Sequence, residues 1–551
     1  MTGISATSAR AQPLDDAAAQ AGARGRGSRA QATRVGPVGL VVLAATTLGL
    51  ALRLYQLMRP GYLLGVTEYD DAVDFGSAVR LVHGVLPYRD FVLVQPPGIS
   101  WLMAPVALLA NITGSASGFA VARVLTACAG AASITLAGLL VRHRGVLVTT
   151  VTCGLLAVYP GAIEAAHTVL LEPWMVLFCL IGAVAIFDGD AITTRLTRLA
   201  WGGAAFGFAG AIKAWAALPV LVILVLCWRR LAWRPWFAYL GGVIAGFAIP
   251  VLPFLAIAPQ AFYQSVVSAQ LSRVDVTRVL FWLRLVSLTG LNDLHAVSRG
   301  ETLAAAILIA GFVAVCLAGA WARTRRAPPD LERFAIGGAG LVLVAFLWPP
   351  DYYSHYAAFF APFLAMSIAL PAGRLIADRR QPSSTGARRS RAGLLAAGLS
   401  AAAALAFLVM ADVQAHHEAK LAAGSPGASA DRQIPAGACV VTDISALTMV
   451  ADRFSSNVTG CSPMIDAIGT DYALSGGWNG VSGAGQNPKV ESVWLSAFQH
   501  AQFVWIACAP PAARHCDRFT NRRIPWTPTI LAYFSSHFRL LHGTVYRRDG
   551  T

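Results

Sequence analysis

Charge is scarce in this chain of 551 residues: Asp, Glu, Lys and Arg make up 13% of it, against roughly 25% in an ordinary soluble domain. With 56% hydrophobic residues, that deficit excludes a purely cytosolic globular enzyme and, away from the ends, a disordered chain. Lysine is almost missing, since only Lys213, Lys420 and Lys489 stand beside 40 arginines. No Walker motif, dinucleotide-type glycine fingerprint or zinc-type CxxC pair occurs, which removes the usual signatures of phosphate loops and structural zinc. The net charge of +15 does not point to nucleic acid. Its arginines fall in short clusters between apolar runs, as in a chain that crosses a membrane many times.

Eleven apolar segments are bounded by charges or Pro/Gly breaks, at 36–57, 118–141, 145–162, 173–188, 199–212, 214–228, 236–257, 301–322, 334–348, 355–372 and 393–411. The expected fold is therefore an α-helical polytopic membrane protein of about eleven spans in residues 36–411, with a first outside loop at 58–117. Residues 1–35 are polar and arginine-bearing and read as a disordered cytoplasmic tail. With the N-terminus inside, Arg142/Arg144, Arg195/Arg198, Arg229/Arg230/Arg234, Arg323 to Arg333 and Arg374 to Arg391 all fall inside, as the positive-inside rule requires. Asp70, Asp71, Asp74, Asp90, Glu164 and Glu172 fall outside. The segment 259–300 dissents, being outside yet carrying Arg273, Arg278, Arg284 and Arg299.

Both flanks of 199–228 are basic, so this stretch must cross an even number of times. Its 30 or so residues supply only about 45 Å of helix, which predicts two short helices with Lys213 at their tip. A lysine at that depth needs protein or a wet cavity around it. Residues 412–551 are mixed polar and predict a small extracytoplasmic α/β domain, with β-like runs at Cys439–Thr442, Phe503–Cys508 and Arg539–Tyr546 and a helical pattern at Thr529–His537. Five cysteines lie in apolar spans. The other four, in the tail, suit disulfides in an outside compartment. Cys439–Cys461 with Cys508–Cys516 is the local pairing among three connectivities.

The first outside loop is the most informative stretch. Asp70 to Gly84 predicts an amphipathic helix at the membrane surface, with Asp70 and Asp74 on one face. Gly84 stops it, and Pro87-Tyr88-Arg89-Asp90 and Gln95-Pro96-Pro97-Gly98 lead extended into a next helix at 99–112. These elements resemble the GT-C superfamily of membrane glycosyltransferases, in the branch of protein O-mannosyltransferases and aminoarabinose transferases. Asp70-Asp71 matches that branch's acidic pair, with aspartate where Asp-Glu is common. Glu172 in His167-Thr168-Val169-Leu170-Leu171-Glu172-Pro173, the turn Ala211-Ile212-Lys213-Ala214, and Tyr352-Tyr353-Ser354-His355-Tyr356 match further elements in order.

The resemblance implies transfer of a sugar, with inversion, from a polyprenyl-phosphate carrier to an acceptor hydroxyl of a protein, glycolipid or polysaccharide at the outer face of the cell membrane. It assigns Asp70 as general base, with Asp71 as supporting acid or competing candidate. Lys213, with Arg273 or Arg278, would stabilise the leaving lipid phosphate, while His355 and Tyr353 would line the donor site. Glu172 could orient the sugar or join Asp71 in holding a divalent cation; no other cofactor is implied. The alternative is a transporter or flippase of lipid-linked sugars, which predicts internal repeats with broken helices at the midplane.

Overall fold

The computed structural model describes residues 36–271, 279–290, 298–348, 352–377, 433–475, 487–506 and 523–550. Ten of the eleven expected segments coincide with helices, from Pro37–Leu57 to Ala357–Ala377, and the eleventh, 393–411, lies outside the described residues. So do residues 1–35 and the expected boundary at 412. Five described helices are long and apolar enough to cross a bilayer singly. A sixth crossing is bent by 53° between Val146–Val158 and Pro160–Ala166, because Pro160 holds the preceding Tyr159 in an extended conformation.

Glycine sets the closest packing. A Cβ on Gly203, Gly207, Gly242 or Gly246 would collide with a carbonyl of the facing helix, so Leu196–Ile212 and Trp233–Ile257 lie backbone to backbone. Charge pairs gather the arginine clusters at one end of the bundle. Arg144 pairs with Asp190, Arg230 and Arg333 with Asp330, and Arg374 with Glu332. Glu68, Asp70 and Asp74 of the first loop lie elsewhere, with Glu172 and Lys213.

The tail folds as a mixed four-stranded sheet in the order Val440–Thr442, Phe503–Trp505, Val545–Arg548, Phe538–His542, the first pair parallel and the rest antiparallel. The expected single run at 539–546 is thus two strands, turned at Gly543 with φ +56°. Trp494, Phe498, Phe534 and Phe538 form its buried core, and Cys439 and Cys461 are joined by a disulfide. Cys508 and Cys516 lie outside the described residues.

The structure corrects the reading of the first-loop helix. It spans Asp70–Val82, and every residue from Asp71 to Val79 is buried. Instead of presenting one polar face to solvent, it is covered by the tail. Gly76 faces Phe454 and Met449 across a gap too small for a Cβ, and the Arg80 guanidinium stacks 4.6 Å above the Phe454 ring. Beside it, Asp452 accepts from the Ala116 N–H (2.8 Å) and the Ser115 hydroxyl (3.2 Å). It thereby supplies, from the tail, the cap that Gly114 cannot give the helix Ser115–Val141.

Candidate active site

One cleft of about 100 Å³ gathers the first loop, the Glu172 turn, the Lys213 turn, the Tyr353–His355 segment and the tail. Asp70 opens the first-loop helix at its positive dipole end. Its carboxylate lines the cleft and makes no hydrogen bond to another described residue. Asp74, one turn on, lines the cleft on the same face. Asp71 does not. It is fully buried on the other side, where Arg123 grips it at 2.6 Å. The same guanidinium donates to the carbonyls of Tyr62, Leu63 and Gly65, so Asp71 and Arg123 fix the chain that leads into the helix.

The following motif is a scaffold. Asp90 accepts from the Leu86 N–H at 2.7 Å, Tyr88 takes φ +68°, and its hydroxyl donates to the Gln95 carbonyl at 2.6 Å. Pro96 and Pro97 then deliver Gly98 against the backbone of Ala211 and Ile212, where a Cβ would sit 2.6 Å from the Ala211 oxygen. That close approach brings the first loop beside the Lys213 turn.

Lys213 is extended, between the end of Leu196–Ile212 and a tight turn at Ala214–Ala216. Its ammonium contacts Glu172 at 2.5 Å and lies 4.3 Å from the centre of the Tyr356 ring. His355 stacks on Tyr353 and stands 3.8 Å from the same Glu172 carboxylate. Glu172, Lys213, Tyr353 and His355 therefore share the cleft with Asp70. Arg273 and Arg278 lie outside the described residues; Ala269 and Gln270, just before them, line the cleft. Arg284 turns away, donating to the Phe346 carbonyl at 3.0 Å.

The expected metal candidates do not meet, since Asp71 is held by Arg123 and Glu172 by Lys213. Among the described residues, no three His, Cys, Asp or Glu side chains are arranged to hold a metal ion.

Glu68, Asp74, Gln270 and Asp466 also line the cleft without having been singled out as site residues. Asp74 was legible from its spacing to Asp70. Arg123 carried a signal too, as a lone charge in an apolar stretch, whereas Asp466 carried none. Burial, reinforced by Asp70 and Asp71, pushes the Glu68 carboxyl up to about 8. Burial and then Asp70 push Asp74 well above the usual carboxylate range, against the pull of Lys213. Both shifts favour the protonated carboxyl, which lowers the negative charge facing an incoming anion.

No protein-family model matches the chain, and no curated protein matches it in sequence. Solved structures do match in shape. ArnT from Cupriavidus metallidurans bound to undecaprenyl phosphate superposes with a TM-score of 0.53 at 16% identity, covering 93% of this chain and 98% of that one. The apo state of the same protein gives 0.51 at 16% identity, over 84% and 91%. With the ordered helices and the small sheet of the tail, these likenesses show that the chain shares the fold of that membrane protein.

Proposed function

We propose that the chain transfers a sugar from a polyprenyl-phosphate carrier to an acceptor hydroxyl at the outer face of the membrane. The observation that carries this reading is the juxtaposition, in one cleft, of the Asp70 carboxylate with the Lys213 ammonium. The fold likeness to a protein bound to undecaprenyl phosphate supports it. In this reading the arginine-rich end of the bundle faces the cytoplasm, and the cleft and the tail face outward.

The acceptor oxygen attacks the anomeric carbon and gives its proton to Asp70, while the bond from that carbon to the phosphate oxygen breaks. Negative charge grows on the departing lipid phosphate. Lys213 meets it with a cation kept charged and aimed by Glu172 and Tyr356, a fixed partner in a site shielded from water. An arginine of the 272–278 segment, Arg273 or Arg278, would be the second cation. His355 and Tyr353 form the wall beside Glu172 against which donor phosphate or sugar would rest. In their protonated forms, which burial favours, Glu68 and Asp74 would present hydrogen-bond donors to the sugar hydroxyls in place of repelling charges. The acceptor would be a protein, glycolipid or polysaccharide bearing the hydroxyl.

The test is transfer in proteoliposomes from a panel of labelled polyprenyl-phosphate sugars to host membrane acceptors. Asp70→Asn should lower the rate by roughly 10²- to 10⁴-fold with unchanged thermal unfolding. Equal rates in mutant and wild type would remove Asp70 from the base role. Labelled lipid crossing the bilayer with no transfer from any donor would replace the enzyme with a transporter.

A further inference from the structure

The tail does more than cover the first-loop helix, since it also holds the residue before Asp70. The Tyr69 hydroxyl donates to Asp466 Oδ1 at 3.0 Å and accepts from the Ile468 N–H at 3.0 Å. The Arg523 guanidinium lies 5.2 Å from the centre of the same ring. All three partners belong to the tail, with Asp466 and Ile468 lying 397 and 399 residues further along the chain. Asp466 is 4% exposed and lines the same cleft as Asp70. Its Oδ1 also accepts from the Gly469 N–H at 2.7 Å, capping the helix Ala467–Leu474. One oxygen thus ties a tail helix and the start of the first-loop helix to the same point.

Tyr69 already has helical backbone angles, φ −74° and ψ −48°, so its orientation passes directly to the next residue. We propose that Asp466 is a positioning residue: through the Tyr69 hydroxyl it sets the direction of the Asp70 carboxylate, so the reaction requires the docked tail. This rests on the transferase reading above. Small misplacement of a reacting group is enough to lower a rate by up to about 10²-fold, and the expected signature is a loss in kcat with the KM for donor unchanged.

Two substitutions separate this role from capping. Asn caps a helix about as well as Asp and keeps an oxygen at Oδ1 that can accept both bonds, whereas Ser caps but is too short to reach Tyr69. Asp466→Asn should retain near wild-type kcat. Asp466→Ser and Tyr69→Phe should each lose roughly 10- to 100-fold, with KM within about twofold. The double variant should be no worse than either single one, as for two residues acting through one contact.

Thermal unfolding of the detergent-solubilised chain checks that Asp466→Asn and Asp466→Ser fold alike. Wild-type kcat in Asp466→Ser would overturn the proposal, as would multiplying losses in the double variant. A defect in Asp466→Ser without one in Tyr69→Phe would make Asp466 a direct substrate contact instead. If the wild type were inert with every donor, the transferase reading itself would fall. That outcome is distinct from an active wild type whose Asp466 and Tyr69 variants match it.

Discussion

The membrane bundle and the tail hold themselves together by opposite means. In the bundle, helices approach through glycine, and buried arginines reach across to carbonyl oxygens far away in sequence. Arg53 donates to Ala157 and Ala162, and Arg123 to Asp71 and three carbonyls of the first loop. Its five cysteines are free thiols. In the tail an aromatic cluster around Trp494 and Phe498 fills a small core, and a disulfide closes it. Lipid gives helices no hydrophobic reason to associate, so close contact and charge-assisted hydrogen bonds do that work there. Water does supply that reason to the tail, and the covalent link adds to it. The seam between the two regions is the first-loop helix, and the candidate catalytic acid lies at its start.

Three perturbations would sharpen or break this contrast. Asp71→Ala, which strands Arg123 in the interior, should cost about 3–5 kcal/mol and loosen the bundle. Thermal unfolding of the solubilised protein reads it, and an unchanged midpoint would mean that the arginine fan is not what holds the first loop. Replacing both Cys439 and Cys461 with serine opens a link across 22 residues and should destabilise the tail by roughly 3 kcal/mol. Limited proteolysis should then cut the tail while sparing the bundle; simultaneous cleavage of both would show that they unfold together. Asp452→Ala removes the shared cap and should cost only about 1 kcal/mol. Amide hydrogen exchange should rise at Ala116, and protection unchanged there would assign the seam to Phe454 and Met449.

What could be read in the sequence divides along the same seam. Hydropathy located the helices because each span must satisfy its backbone within itself, so local pattern and structure agree. The Lys213 turn was legible because two basic flanks and a short apolar run leave few other solutions. Asp70 and Asp74 were placed on one face by helical spacing. The covering of that helix was not legible: its amphipathic pattern reads the same whether lipid or a protein domain meets its apolar side. The inward turn of Asp71 was equally hidden, since it depends on Arg123, 52 residues away. Asp466, nearly 400 residues from the helix it holds, has no neighbour in sequence that marks it.

The break at Lys213 also bears on how the protein is made. Leu196–Ile212 and Ala217–Arg230 have 17 and 14 residues, about 26 and 21 Å of helix, each short of the roughly 30 Å hydrocarbon layer. Neither is a stable crossing on its own, and a lone first arm would carry the ammonium of Lys213 into lipid. The two arms therefore act as a pair around Lys213, whose charge Glu172 receives. In the order of synthesis the acid, 41 residues ahead of the base, precedes the charge that it receives.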